Sequence, residues 1–343
     1  MLKTTAKHVL AIVRFLRGYR EYLRTGNTPE SAYLAMRRLY FATNGRFNEW
    51  VAQWENSRIN TAKIDFRKGG VLNLQSKTDA DTIVREVKHL GYKVFPQIIP
   101  EGICKKIMSF ARTTPAVPRG EQFFNFEFDA RTAQKHIYDS EKPLSFIYDF
   151  DMQSLVEEPA IQELITDPSF LAIAQSYLGP SARFQGMQMW WSTANCPNQD
   201  PAAAAQMFHT DLDTISWIRF FIYITDVDST NGAHTFVATS HKRKPKHLQR
   251  EGRVTDEEVL AYYDDKVIEM TGKSGTLIIE DTKGLHKGNA LTKGERLLLV
   301  LNFSTSFFGA VVPTLRVKQS DASTFSHKVV GSKHVYGDVI KVD

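Results

Sequence analysis

Cysteine is scarce in this chain. Two residues, Cys104 and Cys196, among 343 build no disulfide framework, which excludes the small cross-linked secreted domain and leaves two free thiols in a reducing compartment. Long apolar runs are missing too, and no stretch approaches a membrane span. Acid is nearly absent from the first 26 residues, where Lys3, Lys7, Arg14, Arg17, Arg20 and Arg24 face Glu21 alone. That segment holds the whole formal net charge of +5. The remainder is balanced, so a surface coated for nucleic acid is excluded. The run Leu10 to Val13 is too short for the apolar core of a signal peptide, and no small-residue cleavage site follows it. With the free thiols, this points to the cytoplasm. A mitochondrial-type presequence shares the basic, amphipathic character, but the segment continues into further patterned helix, which argues for a structural role. Internal repeats and low-complexity tracts are also absent.

What is present is ordinary for a globular protein: 42% hydrophobic and 24% charged residues. The length exceeds that of a typical single domain and suggests one large domain with an extension, or two domains. Val9, Val13, Leu16 and Leu23 fall at helical spacing through 6–24. Gly26-Asn27 breaks that helix. Thr28-Pro29-Glu30 reads as an N-cap followed by proline at the first helical position, and Phe47, Trp50, Val51 and Trp54 mark a third helix. Residues 1–75 thus form a helical extension. Its favoured role is docking on the main domain or pairing subunits; contact of the basic helix with a membrane surface is the less favoured one. From 76, Asp79 or Asp81 caps a helix Thr82 to Leu90 that Gly91 ends. A strand Tyr92 to Phe95, a helix from Pro100-Glu101 and a helix capped by Asp167-Pro168 follow. Residues 114–150 read mostly as loop, rich in aromatics: Phe123, Phe124, Phe126, Phe128, Tyr138, Phe146, Tyr148 and Phe150.

Beyond Arg183 the pattern turns to strands, at Phe184 to Trp191, Trp217 to Ile224, Thr235 to Val237, Thr276 to Glu280 and Arg296 to Phe303. Trp217 to Ile224 is apolar on both faces save Arg219, as a buried strand would be. Asn231-Gly232 is a strong turn signal. Many strands with turns between them predict a mainly β, α+β chain built on a jelly roll, two facing sheets over 76–312. The polar tail, 313–343, carries little pattern.

One constellation bears chemistry. In Phe208-His209-Thr210-Asp211-Leu212-Asp213, extended backbone turns His209 and Asp211 to the same side. His286 follows the apolar run Thr276 to Ile279. Two histidines and a carboxylate on one side of a metal leave the opposite positions open, which suits non-haem Fe(II) that must also bind a co-substrate and O2. Arg296 opens the next strand, where a guanidinium could clamp a carboxylate with two parallel hydrogen bonds. With ten histidines and 38 acidic residues in the chain, an HxD alone is weak. Its order with the turn, the strand-bounded histidine and the arginine is what carries weight. Satisfied core or loop histidines are the bland alternative, and Asp213 could replace Asp211 as ligand.

Several segments together resemble the phytanoyl-CoA dioxygenase-like branch of the Fe(II)- and 2-oxoglutarate-dependent oxygenases. They are Gly91-Tyr92-Lys93-Val94 through Pro100-Glu101, Asp167-Pro168 through Leu178-Gly179-Pro180, His209-Thr210-Asp211, Asn231-Gly232 through Ser240-His241-Lys242, and Gly275-Thr276-Leu277 through His286 and Asn289, with Arg296. The likeness covers about 80–310. It implies a cupin-like double-stranded β-helix and Fe(II) bound by His209, Asp211 and His286. Arg296 would pair with the distal carboxylate of 2-oxoglutarate. The implied reaction uses O2, releases succinate and CO2, and hydroxylates a C–H bond of a small molecule. Asp211 speaks against the halogenase variant, which lacks that carboxylate. Two departures stand out. Ala238-Thr239 replaces a frequent Pro-Gly, and Leu298 stands where a second hydroxyl donor to 2-oxoglutarate would be. Gln188 is offered in its place, though it reads equally as a polar residue of a sheet.

Two other classes compete: a metal-dependent isomerase or hydrolase on the same fold, for which Arg296 has no use, and a non-catalytic binding module. The substrate is open. Lys242, Arg243 and Lys246 would suit an anionic group, or form a solvated surface. Trp190, Trp191, Trp217 and the aromatics of 123–150 would line a pocket, or fill the core.

Overall fold

The computed structural model describes residues 2–59, 69–119, 133–194, 206–318 and 324–343. Cys196 and the Phe123 to Phe128 cluster lie outside them.

Three helices open the chain: α1 (Leu2–Thr25), α2 (Glu30–Thr43) and α3 (Arg46–Arg58). Thr28 does not cap α2. Pro29 holds the cap position without a side-chain hydrogen bond, and the Thr28 hydroxyl instead accepts from the amide of Gly309, 2.9 Å away. A long-range partner outcompeted the local one. The extension buries Phe15, Tyr19, Met36, Leu39 and Val51 in a core shared with Leu212, Ile215, Trp217 and Phe308.

Helix α4 (Lys77–Leu90) starts earlier than expected. Ser76 and Asp79 form a reciprocal capping box, and Gly91, at φ 97°, closes the helix. Strand β1 (Tyr92–Phe95) and α5 (Glu101–Thr113) follow. The aromatic-rich stretch is less irregular than it reads. It contributes β2 (Val117–Pro118) and β3 (Ile147–Asp149), while Tyr138, Tyr148 and Phe150 are core, with Tyr138 stacked on Trp191 at 4.9 Å. Next come α6 (Met152–Glu157), α7 (Pro159–Ile165), α8 (Pro168–Leu178), β4 (Arg183–Thr193), β5 (Trp217–Tyr223), β6 (His234–Val237), α9 (Asp256–Tyr263), β7 (Val267–Met270), β8 (Leu277–Glu280), β9 (His286–Gly288) and β10 (Glu295–Ser304). The tail is structured where described: β11 (Leu315–Val317), α10 (Thr324–Gly331), α11 (Lys333–Tyr336) and β12 (Ile340–Val342), with Phe325, Val329, Tyr336 and Ile340 in the main core.

The strands make a seven-stranded antiparallel sheet, β1-β8-β5-β10-β4-β3-β2, and a three-stranded one, β7-β6-β9. This is the jelly-roll arrangement with helical additions. The large sheet is buried on both faces. Along β10, Leu297, Leu299, Leu301 and Phe303 pack among the helices, while Leu298 and Val300 meet the small sheet. Side chains alternate across a strand, so each inner-facing polar residue interrupts an apolar surface. Gln188, Ser192, Arg219, Glu280, Arg296 and Asn302 are among those interruptions, and they mark the space between the sheets.

Candidate metal centre

His209 and Asp211 do not lie in a regular strand. His209 makes an isolated bridge with His286, exchanging both backbone hydrogen bonds at 3.0 Å, and Asp211 N donates to Thr282 O at 3.0 Å. The two imidazoles are therefore direct cross-strand neighbours, 4.3 Å between ring centres. Gly284 makes room for the turn before His286, because a Cβ there would meet the Phe236 ring at 2.3 Å.

Each imidazole is oriented by the backbone. Nδ1 of His209 lies 3.0 Å from Met207 O, and Nδ1 of His286 lies 3.0 Å from Gly284 O. A carbonyl only accepts, so both Nδ1 atoms carry the proton and both Nε2 atoms present lone pairs in the neutral ring. Those atoms and the Asp211 carboxylate lie within 4.8 Å of one another. Nε2 of His209 is 3.6 Å from Asp211 Oδ1, and Nε2 of His286 is 3.4 Å from Oδ2. Three electron-rich atoms converge from one side, and the carbonyls that fix the rings are the supporting contacts metal-bound histidines require. The donor set fits a divalent ion of the imidazole- and carboxylate-preferring kind.

The charges of the three groups are tied to one another. Burial, then the neighbouring His286, pushes His209 down to about 3. Burial opposes a charged His286, yet Asp211 beside it raises its pKa above the ordinary value. Burial also opposes the Asp211 anion, but Arg219 and His286 hold it well below the usual range. Arg219 Nη1 is 2.7 Å from Asp211 Oδ2, a charge contact without hydrogen-bond alignment. The other arm of Arg219 donates to Asp213. Asp213 is thus turned to the guanidinium and is not part of the three-residue cluster.

A cavity of about 340 Å³ opens between the sheets on these residues. His209, Asp211, His286, Arg296 and Gln188 all line it, as do Arg219, His234, Trp190 and the pair Arg119–Asp149. Arg296 is buried; it donates to Gly232 O in the Asn231-Gly232 turn and reaches Ser192 Oγ at 3.4 Å. Its Nε is unpaired, and no carboxylate pairs with it among the described residues. Burial lowers its pKa from the ordinary value. Gln188 is open to the cavity and lies beside Val300 in register.

Of the tryptophans, Trp190 reaches the cavity while Trp191 and Trp217 are core. Lys242, Arg243 and Lys246 are not among the described residues that line the cavity. The buried His234–Glu280 pair, 2.7 Å between Nε2 and Oε2, was not legible as part of the site. Its one sequence signal is a carboxylate ending the apolar run of β8.

The jelly roll thus brings two histidines and a carboxylate together beside a buried guanidinium that has no carboxylate partner among the described residues, an arrangement that could hold a single metal ion and an anionic co-substrate. The family model described as phytanoyl-CoA dioxygenase matches residues 88–297, and the chain belongs to that family. Its members use Fe(II) and 2-oxoglutarate with O2. No curated protein is similar enough in sequence to count as a relative. Among solved structures the chain is similar to the non-haem α-ketoglutarate-dependent epimerase SnoN from nogalamycin biosynthesis, at 16% identity over 67% of this chain and 84% of that one, with a TM-score of 0.48. It is also similar to HygX from Streptomyces hygroscopicus with nickel and 2-oxoglutarate bound (14%, 71% and 92%, TM-score 0.45). A third is EctD from S. alaskensis in its apo form (17%, 64% and 75%, TM-score 0.45).

Proposed function

We infer that the protein is a 2-oxoglutarate-dependent dioxygenase that hydroxylates a C–H bond of a small-molecule substrate. The observation that carries this reading is the joint lining of one cavity by His209, Asp211 and His286 and by a buried arginine that lacks a carboxylate partner. Fe(II) with 2-oxoglutarate and O2 supplies the oxidising power, with succinate and CO2 as co-products.

The chain's own residues do the rest. His209, Asp211 and His286 hold the ion from one side and leave the cavity side open. Arg296 receives the distal carboxylate of 2-oxoglutarate, held in place by Gly232 O and Ser192. Gln188, which lines the same cavity from the neighbouring strand, would offer its amide to 2-oxoglutarate. Arg219 keeps Asp211 ionised and turned to the ion. Trp190, Phe221 and Leu298 wall the cavity and limit water around the reacting C–H bond.

Turnover of 2-oxoglutarate to succinate tests the assignment. Asp211→Ala is expected to abolish it. Arg296→Lys is expected to raise the 2-oxoglutarate KM by about a hundredfold, the cost of a lost bidentate clamp on a buried carboxylate. Wild-type turnover in Asp211→Ala would overturn the metal site; an unchanged KM in Arg296→Lys would overturn the co-substrate assignment and favour a metal enzyme that needs no 2-oxoglutarate.

A further inference from the structure

Helix α1 has two apolar faces. One carries Ala11, Phe15 and Tyr19 and is buried in the core of the extension. The other carries Val9, Ile12, Val13, Leu16 and Leu23, all exposed, with Val9, Leu16 and Leu23 each more than half exposed. Helical periodicity puts these five on one stripe that borders the buried face. Isolated surface aliphatics are normal, but five in one stripe are not. Cations run through and beside it: Arg20 lies within the stripe, and Arg17 and Arg24 flank it, all exposed and without an ion-pair partner among the described residues.

We propose that this face of α1 docks the protein onto a bilayer surface bearing anionic phospholipid. The charge selects this occupant over a second copy of the chain. Pairing two α1 stripes would bring together two segments that each carry the protein's entire net charge of +5, whereas anionic headgroups neutralise it. The apolar stripe lies at the acyl boundary, and the arginine stems extend along the surface to bring their guanidinium groups to phosphate level. The helix lies on the bilayer. None among the described residues is long and apolar enough to cross it. The catalytic reading plays no part in this argument.

Co-sedimentation of the full chain with vesicles tests it, comparing phosphatidylcholine alone with phosphatidylcholine doped with phosphatidylglycerol. Binding is expected only to the doped vesicles and is expected to fall as chloride is raised. Val9→Glu/Leu16→Glu and, separately, Arg17→Glu/Arg24→Glu are each expected to weaken it about tenfold or more. These positions are solvent-exposed, so the circular dichroism and melting temperature of both variants should match wild type. Equal binding to both vesicle types would overturn the proposal. So would displacement by inorganic phosphate beyond that by chloride at equal ionic strength, which would mean a soluble ligand. A dimer that Val9→Glu/Leu16→Glu dissolves, without vesicle binding, would assign the stripe to a second copy of the chain.

Discussion

His209 and His286 are tied by a pair of backbone hydrogen bonds, and each ring is oriented by a carbonyl two residues before it. Neither can rotate away without breaking a bond. Asp211 depends instead on charge. Arg219, buried among Asp211, Asp213 and Glu280, balances three carboxylates at once. Removing it leaves Asp211 and Asp213 without the cation they share, and breaking a buried pair typically costs about 3 kcal/mol. Arg219→Met is therefore expected to lower the unfolding free energy of the metal-free protein, read from urea melts, by about that amount, and Arg219→Met/Asp213→Asn to recover part of it. Full retention of the loss in the double variant would show that Asp213 is not the partner that matters. The sequence carried part of this. Arg219 stands out as the one charge in an apolar strand, and the HxD, His286 and Arg296 share one cavity as their order suggests. Asp213 illustrates what it could not carry. It matches Asp211 in type and spacing, and only the position of Arg219 separates a paired anion from a member of the cluster.

At the scale of elements, alternation explains most of what could be read. Strands β4, β5, β8 and β10 are apolar on both faces because helices cover one and the small sheet the other, so each polar exception was visible as a candidate for the interior. The tail escaped because its apolar residues are sparse, and the 114–150 stretch because its many aromatics follow no period, with Tyr138, Tyr148 and Phe150 packing over long range. The basic run after His241 divides in a way no composition shows. Arg243 and Lys246 are exposed, while Lys244 is buried with Nζ donating to Lys283 O at 2.6 Å. Burial drives its pKa down to about 7 from 10.5. A lysine with a depressed folded pKa binds fewer protons folded than unfolded between those values, so its cost is full below pH 7 and relieved as the pH rises toward 10.5. Lys244→Met is thus expected to stabilise the protein more at pH 6 than at pH 9, with the difference from wild type narrowing by on the order of 2 kcal/mol. Thermal or urea melts at both pH values check this, and a gap that does not narrow would contradict it.

For the whole molecule, the extension is joined to the chemistry. Tyr33 OH donates to Leu212 O at 3.0 Å and Asn48 Nδ2 to Ile215 O at 3.2 Å, so α2 and α3 hold the backbone immediately beyond Asp211. Leu212 and Ile215 point into the core of the extension while Asp211 faces the cavity. A chain shortened to residue 59 onward would expose Leu212, Ile215, Trp217 and Phe308 and is expected to bind metal more weakly, measurable by anaerobic equilibrium dialysis; unchanged affinity would show that the barrel positions the HxD unaided. The central claim is that one cavity holds Fe(II) on His209, Asp211 and His286 and 2-oxoglutarate on Arg296. Anaerobic titration of the metal-free protein with Fe(II), then with 2-oxoglutarate, tests it most directly. The account predicts a weak visible metal-to-ligand charge-transfer band that requires both additions and is lost in Asp211→Ala. Stoichiometric Fe(II) binding with no band on adding 2-oxoglutarate would contradict it.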